Sequence, residues 1–421
     1  MKQDRKEKGN FPILRFPDFQ GEWEEKKVSD ILEFFPTNSL SWEQLEYSER
    51  ELYNLHYGLI HKGLPTQIDL ALCALPSIKE SNIPNNYTIC RNGDVAFADA
   101  SEDTNDVAKV VEFLDCNEKK IICGLHTIHG RDKLELTVTG FKGYIFSSTF
   151  FRNQIRKIAQ GTKIYSISTK NFSECYVNIP PKEEQMKIAN LLLLIDERIS
   201  TQIKIIEDLK LLKSTMSQNI FSHKIRFKDE NGNVFPNWEL KKLNDVLIIQ
   251  GGYAFKSNLF NQGANKVIRI GDILPIIKLS KFSGTYSSET PNEKYIVKKD
   301  DFMMALSGAT FGKVGKIKGE GIAYINQRVA TFRTKQNLEF FYQLVQTDSF
   351  KNYINSIPAA SAQPNISNDD IGNYKSYIPH FIEQTKIASF LSTIDKKIEI
   401  GRQILNTYTE QKKYLLANLF I

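Results

Sequence analysis

Three short stretches of the chain hold residue types that do chemistry. In "PDFQGEWEEK", Pro17 and Asp18 precede Glu24, Glu25 and Lys26, the order of a PD…ExK metal-nuclease signature. "SGATFGKVG" frames Lys313 with glycines as a phosphate-binding loop would. Cys123, His126 and His129 make a C-x2-H-x2-H run, half of a metal site.

Each falls short. A second, similar stretch, "PNWELK", keeps Glu239 and Lys241 but has Asn237 where the aspartate should stand, and the spacing of the first is cramped for a nuclease. Gly308 and Gly312 enclose three residues rather than four, and Val314 occupies the place of a Mg²⁺-binding Ser or Thr. No second ligand pair follows the Cys/His run at zinc-finger spacing, so no metal is expected. A strand with a Gly-rich turn in a βαβ unit, an Asn-Pro-Pro-aromatic run and a clustered hydrolytic triad are not found. The chain is therefore expected to be non-catalytic by itself.

The elements that must position these residues announce themselves by repetition. "NIPPKEEQMKIANLLLLIDERIS" from Asn178 returns as "YIPHFIEQTKIASFLSTIDKKIE" from Tyr377. Over Tyr176–Ser222 against Lys375–Ile421, 15 of 47 positions are identical, Glu184/Glu383, Gln185/Gln384 and Asp196/Asp395 among them. A weaker echo joins "FPDFQGEWEEKKVSD" to "FPNWELKKLND", and "RNGDVAFA" to "KKDDFMMA". A period near 200 residues is too long for a solenoid, so each unit is a domain with its helix. Apolar residues at Ile188, Leu192, Ile195 and Ile199, and at Ile387, Leu391, Ile394 and Ile398, step by three and four along a coiled-coil seam that continues for over four heptads. The interruptions coincide: Gln202 with Gly401, and Lys213 with Lys412. Polar seam residues cost stability but set register, so these should pin one alignment. Each helix would be about 60 Å long, and an antiparallel pair would act as a spacer rod between two heads related by a pseudo-twofold axis.

The 421 residues carry a net charge of +6, unevenly spread. Residues 15–180 hold 18 basic and 23 acidic side chains, and residues 235–379 hold 18 and 12. Residues 119–170 alone hold 10 and 2, which suits a polyanion. The acidic start, 8 against 20 over residues 15–118, should face away from nucleic acid. Five cysteines, odd in number, and no apolar run long enough for a membrane helix point to a reduced, cytoplasmic protein with no membrane role.

The heads mix short β-type runs with Gly and Asn turns and a few helices, such as 150–159 and 338–354, giving an α+β class with a curved, mostly antiparallel sheet. At these residues the chain resembles the specificity subunits of Type I restriction-modification systems. The two "IP…EQ.KIA..L..ID..I" segments are similar to that family's conserved helical regions. "GGYAFKSNLF", "SGATFGKVG", "NQRVATF" and "AQPNIS" resemble second-half recognition signatures, and "GDVAFADASED" and "GLHTI" first-half ones. The resemblance implies target-recognition domains at 15–180 and 235–379, with helical spacers at 181–222 and 380–421. Each head would read one half of an asymmetric, bipartite site in double-stranded DNA, the halves about 34 Å apart along one side of the duplex. The helices would set the gap and bind two modification (methyltransferase) subunits, with ATP-dependent restriction subunits joining the complex. S-adenosylmethionine, ATP and Mg²⁺ are then expected on the partners, with no cofactor in this chain.

Basic, amide and hydroxyl residues of the head loops are the DNA-contact candidates. They are Ser101, His126, Thr127, His129, Arg131 and Lys133 in the first head. In the second they are Tyr253, Lys256, Ser257, Thr310, Lys313, Gln327 and Arg328. A coiled-coil adaptor that binds only proteins is the alternative, and the steep salt dependence of DNA binding separates the two. An enzyme acting on nucleic acid through the first-head carboxylates is a third reading, weakened by Asn237.

Overall fold

The computed structural model describes residues 9–357 and 365–421. The first eight residues of the basic tail and residues 362–364 of "AQPNIS" lie outside the described part. Contacts divide the chain into two compact units, residues 1–204 with 403–421, and residues 205–402.

The first unit is built on a five-stranded sheet. Its order is Leu32–Phe35, Thr127–Asp132, Val95–Ala98, Val110–Asp115 and Gln67–Asp69, antiparallel except for the last pair. Both faces are covered, so its central strand is apolar on every residue rather than alternating. Val95 and Phe97 point into a core with Tyr144, Phe151, Ile188, Leu192 and Leu419. Ala96 and Ala98 point into a second core with Leu55, Ile68 and Phe113. A smaller sheet, ordered Lys120–Cys123, Leu52–Leu55, Ser77–Ile78 and Leu45–Glu46, completes the head.

The second unit repeats this plan. Its five-stranded sheet runs Ile248–Gly251, Val329–Arg333, Phe302–Ala305, Val314–Lys318 and Ile276–Lys278, again with only the last pair parallel. Phe302 and Met304 face one core, and Met303 and Ala305 the other. A four-stranded sheet, Thr285–Ser287, Phe260–Ile268, Ile322–Ile325 and Ile296–Lys298, accompanies it. The echoed tryptophans are both buried, and the strand after each closes its head on itself in the same register: Glu24 opposite Ile179, Glu239 opposite Ile378. The helix expected over 338–354 is two helices, Leu338–Leu344 and Asp348–Ser356. Thr347 breaks it, its hydroxyl accepting the Phe350 N–H at 3.3 Å as an N-cap. Ser148 does the same for Phe151 in the first unit, between Lys142–Ser147 and Thr149–Ile158.

The repeated segments are the helices Lys182–Phe221 and Phe381–Asn418, and each contributes residues to both units. Within each unit the two run antiparallel. In the first, Asn178 donates to the Ile421 carbonyl at 2.7 Å while Asp196 meets Lys412 at 2.6 Å. In the second, Lys213 reaches Asp395 at 2.7 Å. Of the seam residues, Ile188, Leu192, Ile195, Ile387, Leu391, Ile394 and Ile398 are buried and Ile199 packs at the core margin. The interrupting lysines thus answer the two repeated aspartates, one pair per unit. A head residue joins each pair: Tyr144 donates to Asp196 at 2.9 Å, and Gln343 to Asp395 at 2.8 Å. The double exchange Lys213→Asp with Asp395→Lys should restore stability that either single change removes. A double-mutant cycle by urea unfolding should return a coupling of about 0.5–3 kcal/mol, and strict additivity would rule out the pair as a register pin.

Candidate nucleic-acid interface

At one end of each five-stranded sheet, three separate stretches of chain are fastened together by backbone hydrogen bonds. In the first head the Asp99 N–H donates to the His126 carbonyl and the Ile167 N–H to the Asp99 carbonyl, both at 3.0 Å. Ala100–Ser101 pairs with Tyr165–Ser166 alongside. In the second head the Leu306 N–H donates to the Arg328 carbonyl at 2.9 Å and the Ile366 N–H to the Leu306 carbonyl at 3.1 Å, with Ser307 bridged to Asn365. The two bond sets match link for link, so His126 and Arg328 occupy the same place. Each is exposed at the tip of its turn.

The second rim gathers most of its candidates. Tyr253 bridges Asn326, next to Gln327 and Arg328, and Arg328 donates to the Asn365 side chain at 3.0 Å. Gly252 lets this happen: a Cβ there would sit 2.1 Å from the Asn326 carbonyl oxygen. Glu289 holds the next turn, accepting from the Tyr253 hydroxyl at 3.3 Å and the Lys256 N–H at 2.9 Å, with Lys256 and Ser257 left exposed. "SGATFGKVG" is a turn, not a phosphate loop. Gly308 and Gly312 both have positive φ, the Gly312 N–H returns to the Ala305 carbonyl, and Lys313 is exposed. Thr310 sits in that turn with its hydroxyl buried and unpartnered, so it is not presented for a contact.

The first rim holds fewer. His126 is there with φ +53°, its Nδ1 3.1 Å from Asp99, and so is Ser101, whose hydroxyl accepts the Asp103 N–H at 3.2 Å. The four other candidates are buried or lie away from the rim. Thr127 and His129 are buried, the former donating to the Gly124 carbonyl and the latter to Asp94 at 2.8 Å. Arg131 grips the same Asp94 through Nε and Nη2, both at 2.8 Å. Alternation puts all three on one face of strand Thr127–Asp132, the face shared with Ala96 and Ala98. Lys133 lies past that strand's far end, about 20 Å from His126 at strand rise, and donates to the Ser29 carbonyl.

Asp94 is thus a buried anion with three charged or amide partners, counting the Arg91 N–H at 2.9 Å. Burial alone would raise its carboxyl, but Arg131 and His129 hold it below the usual range. The acidic stretch expected to face away supplies Asp99 and Asp103 to the rim itself. Arg152 and Arg156, four apart on helix Thr149–Ile158, grip its Asn105–Val107 loop. That i, i+4 arginine pair is the signal by which they could have been found. Tyr165 and Asn365, also missed, carry no local signal, because only long-range pairing brings them to the rims.

The nuclease signature is dismantled by the fold. Glu24 and Lys26 pair with each other on an edge strand, as Glu239 and Lys241 do at 2.7 Å, while Asp18 pairs with Lys187. Among the described residues no helix is long and apolar enough to cross a membrane.

Two mixed α/β heads, each with the same junction of three loops, define a tandem two-headed protein. Residues 236–409 match the family described as the Type I restriction modification DNA specificity domain. The MjaVIII specificity subunit of Methanocaldococcus jannaschii is 29% identical over 289 residues, 65% of this chain and 68% of that one. A putative MjaX specificity subunit of the same organism is 22% identical over 97% of this chain and 95% of its own. The EcoKI specificity subunit of Escherichia coli is 22% identical over 68% of this chain and 66% of its own. The crystal structure of the S subunit from M. genitalium shares the fold at a TM-score of 0.60 and 18% identity, over 98% of this chain and 99% of that one. The resemblance carried by the repeated segments is thus shared with these proteins: the chain is similar to the type I restriction-modification specificity subunits.

Proposed function

We propose that this chain is the DNA-reading subunit of a type I restriction-modification complex, each head reading one half of an asymmetric, two-part site. The observation that carries this reading is the matched loop junction at His126 and Arg328, where two heads of one plan present different side chains in one place. Different side chains on a shared frame read different bases, so the site is not a palindrome. Bases are read by His126 and Ser101 in the first head and by Arg328, Gln327, Lys313 and Lys256 in the second. The long helices contribute to both units and set the gap between half-sites.

The same helices leave apolar residues in solvent, including Leu194, Leu211, Leu212 and Ile400. These are the docking points for modification subunits and, through them, for restriction subunits. Catalysis in this reading belongs to the partners, which hold S-adenosylmethionine, ATP and Mg²⁺, and the complex works in the cytoplasm.

A genome-wide methylation map with and without this chain, the modification subunit being retained, tests the reading. Loss of methyl-adenine from one asymmetric bipartite motif is expected, and an unchanged map overturns it. Arg328→Ala should relax the base preference of one half-site by about 1–3 kcal/mol and leave the other half unchanged. Relaxation of both halves would show that Arg328 acts on DNA only as a general charge.

A further inference from the structure

The first head contains a buried cluster that its DNA-reading role does not use. Cys90, Cys123 and His129 each bring one ligand-type atom within 4.8 Å of the others. The two sulfurs are 3.6 Å apart, close to the ligand separation a tetrahedral centre with sulfur at ~2.3 Å requires. All three side chains are buried. His129 gives the second, independent observation. Its Nε2 faces Asp94 at 2.8 Å, while its Nδ1 is buried with no nitrogen or oxygen partner, and the Cys90 thiol is the group beside the ring. A buried imidazole nitrogen whose one neighbour is a thiol is a ligand pair for a soft metal ion.

We infer that Cys90, Cys123 and His129 bind a zinc ion through their two sulfurs and the histidine Nδ1, with Asp94 orienting the imidazole from behind. Thiolate and imidazole donors in a small, dry site select zinc among the common divalent ions. A ligating histidine that passes its other N–H to a carboxylate is the usual outer arrangement of such sites, and here Arg131 in turn fixes that carboxylate. On binding, each thiol gives its proton to solvent, and the ion's 2+ charge balances the two thiolates. Because the site is closed to solvent, the ion enters as the head folds, and its binding free energy adds to that of folding.

The spacing gives the ion a purpose that rests on the reading above. Cys123 and His129 bracket the turn that presents His126, while Cys90 comes from a different stretch held to it through the Cys90 N–H and the Ile121 carbonyl. Zinc would clamp the reading turn of the first head to its sheet. The second head has no cysteine, and Thr331 stands opposite Met303 where His129 stands opposite Ala96. The site is therefore a property of one head.

The full chain, purified without a metal-binding tag from zinc-replete cells, tests this by elemental analysis after dialysis. One equivalent of zinc is expected, lost in the Cys90→Ser/Cys123→Ser variant. Should that variant not fold, the native chain refolded with Co²⁺ decides alone: a thiolate-to-cobalt charge-transfer band is expected. No retained zinc together with no such band overturns the inference. So does a mass two hydrogens lighter with both thiols resistant to alkylation, which would mean a disulfide. These readouts involve no DNA, so failure of the DNA-reading function and failure of the metal site are separable.

Discussion

Arg15→Met is expected to destabilise the first unit by about 3–5 kcal/mol, because it strands a buried carboxylate. Glu184 is fully buried and takes two hydrogen bonds from Arg15, through Nε and Nη2, both at 2.8 Å. Among the described residues no other side chain hydrogen-bonds it. The counterpart, Glu383, is held by Arg226 at 3.2 and 2.8 Å but also accepts the Trp238 indole N–H at 2.9 Å. Arg226→Met should therefore cost less than Arg15→Met. Hydrogen exchange resolves the two units, and a loss of 3–5 kcal/mol lowers protection by more than about a hundredfold. Equal, small effects below about 1 kcal/mol would mean that neither arginine fastens its helix. The neighbouring Gln185 works beside this clamp, accepting the Val138 N–H at 2.9 Å and donating to the Pro180 carbonyl at 2.8 Å. Gln384 does the same with the Asn337 N–H and the Pro379 carbonyl. The repeated Glu-Gln is thus the joint between head and helix.

Lys142→Met should cost the first unit a comparable amount, again about 3–5 kcal/mol, and should do so in a pH-dependent way. Lys142 lies 3.1 Å from Glu112 and both are buried. Glu112 also accepts the Gly140 and Gly143 N–H groups at 2.8 and 2.7 Å. Burial pushes the Glu112 carboxyl above its usual value, against the pull of Lys142. A carboxyl raised in the folded state binds its proton more readily there than in the unfolded chain. The cost of burying its charge is therefore present above the folded pKa and is relieved as pH falls through it. Removing Lys142 raises that pKa further, so the deficit of the variant should be largest at neutral pH and shrink toward about pH 5. Adding Glu112→Gln should recover most of the loss, because no charge is then left unpaired. Urea unfolding at the two pH values checks both claims. A deficit independent of pH would mean that the lysine contributes through its packing alone.

Much of the architecture could be read from the chain because it is written in local and periodic form. The long helices, their seams and the prolines that precede them depend on spacings of three, four and seven residues, which survive without any knowledge of the rest of the fold. The lysines interrupting the seams could be singled out for the same reason, although their partners could not. The "RNGDVAFA" and "KKDDFMMA" echoes, noted only as part of the duplication, hold the central strands of both sheets, where a strand covered on both faces is apolar throughout. The break at Thr347 was missed because a hydroxyl cap inside an apolar run is a weak signal beside Phe340, Phe341, Phe350 and Ile354, which all turn inward.

The loops were harder, and the candidate contacts show why. His126 and His129 are three residues apart and look alike in sequence. One sits on a turn in solvent and the other on a strand facing the core, a difference set by where pairing with Val95–Ala98 begins. Of the metal-like run Cys123, His126 and His129, which was set aside in the sequence, the fold brings Cys123 and His129 together with Cys90 and leaves His126 outside the cluster.

By itself, then, the sequence determined the duplication, the helices and their polar pins, and the apolar cores, because these rest on periodic burial. The tertiary structure alone decided which aspartate each pin meets, which strands share a sheet, and which three stretches meet at each rim. It also decided which cysteine faces His129. Those outcomes depend on strand register between segments far apart in the chain, and a register shift of one residue would turn every such side chain to the opposite face.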